Sequence, residues 1–80
     1  MESLFDETRA YVTGRIASLL EAGENKLPTD HELAAEITAS YATLRLVMKE
    51  LEQQGFIRRI RGSGTYLTAQ AATLLADSRR

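Results

Sequence analysis

Apolar residues recur at helical spacing over residues 3–22, where Leu4, Phe5, Val12, Ile16, Leu19 and Leu20 fall close to one face. Gly14 inside this stretch costs about 1 kcal/mol relative to Ala, so tertiary packing has to hold the helix. Ala22-Gly23-Glu24-Asn25 breaks it, and Lys26-Leu27 suits a very short strand before Pro28. Thr29-Asp30-His31-Glu32 is a capping box: the Thr29 hydroxyl can accept from the Glu32 amide while the Glu32 carboxylate reaches back to the Thr29 amide. Asp30 and Glu32 also suit the positive end of a helix dipole. A second, short helix is therefore predicted over about residues 30–37, with Leu33, Ala34 and Ile37 inward. Thr38-Ala39 makes a tight turn, and Ser40 caps a third helix. There Leu44, Val47, Met48 and Leu51 repeat at i, i+3, i+4 and i+7 and face the core, while Tyr41, Thr43, Arg45, Lys49 and Glu52 lie off that stripe. Leu46 also falls outside the apolar stripe. Gly55 suits a left-handed C-terminal cap.

Two short strands around a glycine turn follow, in Phe56-Ile57-Arg58-Arg59-Ile60-Arg61-Gly62-Ser63-Gly64-Thr65-Tyr66. Strand alternation puts Arg58 and Arg59 on opposite faces, so both cannot meet one partner equally. Residues 69–78 are Ala-rich and helix-prone, with little core-forming content beyond Leu74 and Leu75. The expected fold is α+β: a small winged helix-turn-helix of three helices plus a β-hairpin wing over residues 1–68, then a linker or short C-terminal helix over residues 69–80.

Composition narrows the function. Eighty residues make one domain, near the lower size limit for a self-sufficient core. The absence of cysteine removes disulfides, zinc–cysteine sites and thiol catalysis. No apolar run reaches the roughly 18 residues of a membrane span, and the acidic start Met1-Glu2-Ser3-Leu4-Phe5-Asp6-Glu7 is unlike a secretory signal, so a cytoplasmic protein is expected. The net charge of −1 hides an asymmetry. Residues 1–38 carry eight acids against three bases, whereas residues 39–80 carry seven bases against three acids. A local basic patch is what phosphate binding needs, whatever the total charge. There is no phosphate-loop pattern, no nucleophile beside a base and no second histidine or cysteine to complete a metal site with His31, so neither an enzyme nor a cofactor is implied.

At these residues the chain resembles the N-terminal DNA-binding domain of the GntR family of bacterial transcription regulators. The match runs from the first helix to about Thr68. Its blocks are Lys26-Leu27-Pro28-Thr29-Asp30-His31-Glu32-Leu33-Ala34, Ser40-Tyr41-Ala42-Thr43-Leu44-Arg45, Leu51-Glu52-Gln53-Gln54-Gly55-Phe56-Ile57 and Arg61-Gly62-Ser63-Gly64-Thr65-Tyr66. The resemblance implies phosphate or base contacts at Ser40 and Thr43, a base or phosphate contact at Arg45, and a wing tip at Gly62 near the minor groove. Arg is common in the family where this chain has His31 and Tyr41. Neither replacement has the guanidinium fork that reads guanine bidentately, so a changed operator preference is expected. Family members normally continue into a larger effector-binding and dimerising domain, which makes this chain either an excised domain or an unusually small member.

The expected DNA-binding residues are His31, Ser40, Tyr41, Thr43, Arg45, Lys49, Arg61 and Gly62. The partner is double-stranded DNA, a palindromic operator bound as a homodimer in a full-length context. Each position also has a plainer role. Ser40 and the Thr43 hydroxyl serve the cap, Tyr41 packs on the surface, and Arg58, Arg59 and Arg61 form a solvated ribbon face. A winged helix that binds protein rather than DNA is the alternative, favoured by the near-neutral charge, the acidic first half and the residues at His31 and Tyr41. Single-stranded nucleic acid is a weaker candidate, because Tyr41 and Tyr66 supply few stacking platforms.

Overall fold

The computed structural model describes residues 3–78; Met1 and Glu2 of the acidic start, and Arg79 and Arg80 of the basic half, lie outside the described residues. The elements run α1 (Leu4–Ala22), α2 (Asp30–Ile37), α3 (Tyr41–Gln54), β1 (Ile57–Ile60), β2 (Gly64–Leu67) and α4 (Ala71–Ser78). Among the described residues no helix is long and apolar enough to cross a membrane.

Local chemistry sets each boundary. The Ser3 side chain accepts from the Asp6 amide to start α1, and Gly23 ends it in the left-handed region. Thr29 and Glu32 form the expected capping box, with the Thr29 amide 2.9 Å from the Glu32 carboxylate and the Glu32 amide 3.2 Å from the Thr29 hydroxyl. The bond from the Thr29 amide, and next its hydroxyl, hold the Glu32 carboxyl below the ordinary carboxylate range. This cap is therefore intact at neutral pH and is lost as pH falls through that lowered value. Thr38, at the turn between α2 and α3, has φ 52°. A β-branched residue rarely adopts that conformation, so the tight turn between the two helices holds local strain. Ser40 caps α3, and Gly55 closes it at φ 94°.

One core joins the elements. Val12, Ile16 and Leu19 of α1 meet Leu33 and Ala34 of α2 and Leu44, Val47, Met48 and Leu51 of α3, with Phe56, Ile57 and Leu67 below them. The α3 stripe is buried as its spacing predicts. Two apolar expectations need correction. Leu4, at the first position of α1, is exposed, and Ile37, in the last turn of the short α2, is only partly covered. Polar clasps tie α1 to its neighbours: Arg9 Nε lies 2.9 Å from Glu50 of α3, and the Tyr11 hydroxyl donates to Glu36 of α2 at 2.6 Å.

The hairpin is antiparallel, with Ile57 opposite Leu67 and Arg59 opposite Thr65. Its turn is closed by the Ser63 amide donating to the Ile60 carbonyl at 2.9 Å, and Gly62 takes φ 78° there, where a side chain would be strained. The short strand expected at Lys26-Leu27 is a single bridge from Lys26 to Tyr66, reinforced by the Leu27 amide on the Thr65 carbonyl. The wing is thereby tied to the loop before α2. Residues 71–78 are helical and pack on α1: Leu75 is buried and Leu74 partly so, as expected, and the expectation of little core content beyond them is corrected at Ala71, which is fully buried. Single residues one turn apart suffice to seat so short a helix, a pattern that an Ala-rich segment hides.

Candidate nucleic-acid interface

The side of α3 turned away from the core, the start of α2 and the wing form one surface. Ser40 and Thr43 stand at the N-terminus of α3. The Thr43 amide donates to Ser40 Oγ at 3.0 Å, and the Ser40 hydroxyl donates to Thr43 Oγ1 at 2.8 Å. Both hydroxyls thus serve the cap, and Ser40 remains exposed. A helix N-terminus with exposed hydroxyls can also accept a phosphate.

His31 and Tyr41 are brought together across the turn. Their rings stack with centroids 4.2 Å apart and planes 12° from parallel. Arg45, one helical turn beyond Tyr41, sets its guanidinium 5.9 Å from the Tyr41 ring centroid and donates a long hydrogen bond to the Tyr41 hydroxyl at 3.4 Å. That hydroxyl, and next the Asp30 carboxylate, push the Arg45 guanidinium further toward its charged form. The Arg45 side chain is still 58% exposed. Lys49 is exposed one turn on, and Arg61 and Gly62 are exposed at the wing tip, away from the stack.

Two residues outside the expected set organise this surface. Asp30 is only 7% exposed, at the first position of α2. Arg59 from β1 reaches it with two bonds, Nη2 to Oδ2 at 3.0 Å and Nη1 to Oδ1 at 3.4 Å, and also bonds the Thr65 hydroxyl at 3.2 Å. Arg45 Nε approaches the same carboxylate at 3.8 Å. One carboxylate therefore holds the wing through Arg59 and also draws Arg45 of α3 toward the start of α2. Asp30 is more than the dipole partner its position suggests, and Arg59 belongs to the inner face of the wing. A signal for Arg59 exists in the chain: it lies two residues after the buried Ile57, on the same strand face. Nothing local pairs it with Asp30, which is 29 residues away.

Asp30→Asn keeps the volume but removes the charge between the two guanidiniums. Because Arg59 is 36% exposed and rehydrates readily, the expected loss is about 1 kcal/mol rather than the several kcal/mol of a fully buried pair, read as a lower urea midpoint. An unchanged midpoint would show that the pair does not hold the wing.

Comparison with known proteins agrees with this fold. The model of the gntR family of bacterial regulatory proteins matches residues 5–67. The chain is similar to the HTH-type transcriptional repressor YtrA of Bacillus subtilis, 38% identical over 64 residues, covering 80% of this chain and 48% of the repressor. It is also similar to the arabinose metabolism transcriptional repressor of Geobacillus stearothermophilus, 40% identical over 45 residues, covering 56% of this chain and 12% of that protein. The chain thus spans about half or less of these relatives. Among solved structures, a GntR family transcriptional regulator from Listeria monocytogenes superposes with a TM-score of 0.80 at 24% identity, over 98% of this chain and 70% of that one, which shows the shared fold. The AraR DNA-binding domain in complex with operator ORX1 superposes with a TM-score of 0.62 at 28% identity, over 85% of this chain and 82% of that one.

Proposed function

The chain belongs to the GntR family of bacterial regulatory proteins, and from that premise we propose that it binds double-stranded DNA sequence-specifically to regulate transcription. The observation that carries this reading is the single surface on which the capped start of α3, the exposed Arg45 and the wing lie together, held by Asp30. A relative of the same fold is solved on operator DNA, which supports this use of the surface. In this reading α3 enters the major groove N-terminus first. Arg45 and Tyr41 meet base edges. Ser40, Thr43, His31 and Lys49 set the register through phosphates, and Arg61-Gly62 lies along the flanking backbone or minor groove. The DNA-reading unit is residues 1–68, with α4 packed on α1 beside it. Within a full-length dimer two such units bind a palindrome in the cytoplasm, one per half-site. The stacked His31–Tyr41 pair stands where the family commonly carries arginines, so the guanine preference those arginines confer is replaced here.

A titration of the 80-residue chain with enriched and scrambled duplexes at two salt concentrations tests the reading. Affinity for the enriched duplex is expected to fall steeply with salt, with a logarithmic slope of about −0.9 per phosphate neutralised. Lys49→Ala is expected to flatten that slope by about one phosphate's worth while weakening all sequences alike. Equal affinity for enriched and scrambled duplexes would exclude sequence-specific binding, and no binding to either would favour the protein-interaction alternative.

A further inference from the structure

We infer that Leu46 reads the 5-methyl group of a thymine in the major groove, an inference that rests on the proposed DNA binding. The helical repeat that turns Leu44, Val47, Met48 and Leu51 inward directs Leu46 almost straight out from the core, beside Lys49. Leu46 is 60% exposed, the highest value among the large exposed hydrophobic residues of the described chain. A lone exposed leucine needs no explanation by itself. This one lines a hollow between α3 and the wing with Arg45, Lys49, Glu52 and Arg59, so three cations and one acid surround an apolar side chain.

A protein partner that filled this hollow with apolar groups would strand Lys49 and desolvate Arg45, whose nearest carboxylate oxygen is 3.8 Å away, although Arg59 is already held by Asp30. DNA satisfies both parts of the surface. Phosphates lie to either side of a major groove, where Lys49 can meet one, and base edges lie between, within reach of Arg45 and Leu46, while Arg59 stays on Asp30. On those edges the thymine methyl is the one apolar feature, and aliphatic side chains recognise it by contact. Leu46 is the large aliphatic side chain on the outward side of α3 between the flanking cations. With Tyr41 in place of a guanine-reading guanidinium, such a contact shifts the preferred site toward A·T pairs.

The test uses the 80-residue chain and duplexes enriched by it from a randomised pool. Each thymine of the enriched site is replaced in turn by deoxyuridine, which removes the methyl group and keeps the pairing. Replacement at one position is expected to weaken wild-type binding about fourfold, the worth of one buried methyl-sized group. Leu46→Ala is expected to bind the thymine duplex several-fold more weakly and to be indifferent to the uracil swap at that position alone. Because Leu46 is outside the core, this variant should melt at the wild-type temperature. A wild type that senses no uracil swap, or a Leu46→Ala variant that retains every uracil penalty, overturns the assignment while leaving DNA binding intact. A pool from which nothing is enriched overturns the DNA-binding proposal and this inference with it.

Discussion

Leu33→Ala is expected to destabilise the domain by about 2–5 kcal/mol, the usual cost of emptying a fully buried leucine site. Leu33 has no exposed surface, and with Ala34 it supplies the buried apolar contacts of α2. An eight-residue helix cannot persist on its own hydrogen bonds, so its burial decides whether it forms. Domains of this kind have only about 5–15 kcal/mol in total, and this one is near the small end of foldable size. The melting temperature should therefore fall by about 8–40 °C, at about 4–8 °C for each kcal/mol. Because α2 also carries Asp30 and His31, the wing and the aromatic stack would loosen together. A thermal melt followed by circular dichroism reads the effect. A shift below about 5 °C would mean that α2 is not held through Leu33.

Arg45→Ala is expected to weaken binding to the enriched duplex by about 1–3 kcal/mol while leaving the fold intact. Arg45 is largely exposed, and Asp30 keeps its closer partner Arg59 when Arg45 is truncated, so no buried charge is stranded. Arg45→Lys separates base reading from phosphate contact. An ammonium restores a phosphate contact but lacks the planar fork that meets two acceptors on guanine. If Arg45 reads a base, the lysine variant recovers the salt dependence but not the discrimination between enriched and scrambled duplexes. Full recovery of both by lysine would assign Arg45 to phosphate. No loss in the alanine variant would remove it from the interface.

Much of this architecture is legible in the chain because it is set locally. The Thr29–Glu32 capping box, the Ser40 cap, the stripe of Leu44, Val47, Met48 and Leu51, and the glycine turn of the wing each span fewer than a dozen residues. Their chemistry is that of neighbours in sequence. The family blocks lie on these elements, which is why the winged-helix reading and the membership agree with the observed fold. The tail was less legible. Ala71 looks like an ordinary member of an Ala-rich segment, and only the surface of α1 makes it a core residue beside the expected Leu75.

The surface proposed to meet DNA divides the same way. That Ser40, Thr43, Arg45 and Lys49 share one capped helix follows from sequence, because hydrogen bonds within a turn and a repeat of 3.6 residues fix where each side chain points. The sequence thus determined the helix-turn-helix, the hairpin and the candidates they carry. Tertiary structure alone decided that His31 stacks on Tyr41, that Arg59 pairs with Asp30, and that the wing brings Arg59 beside the outward-facing Leu46. Those pairings join segments that approach one another only after the core of α1, α2 and α3 has closed. No local rule of spacing or propensity encodes the distance between them.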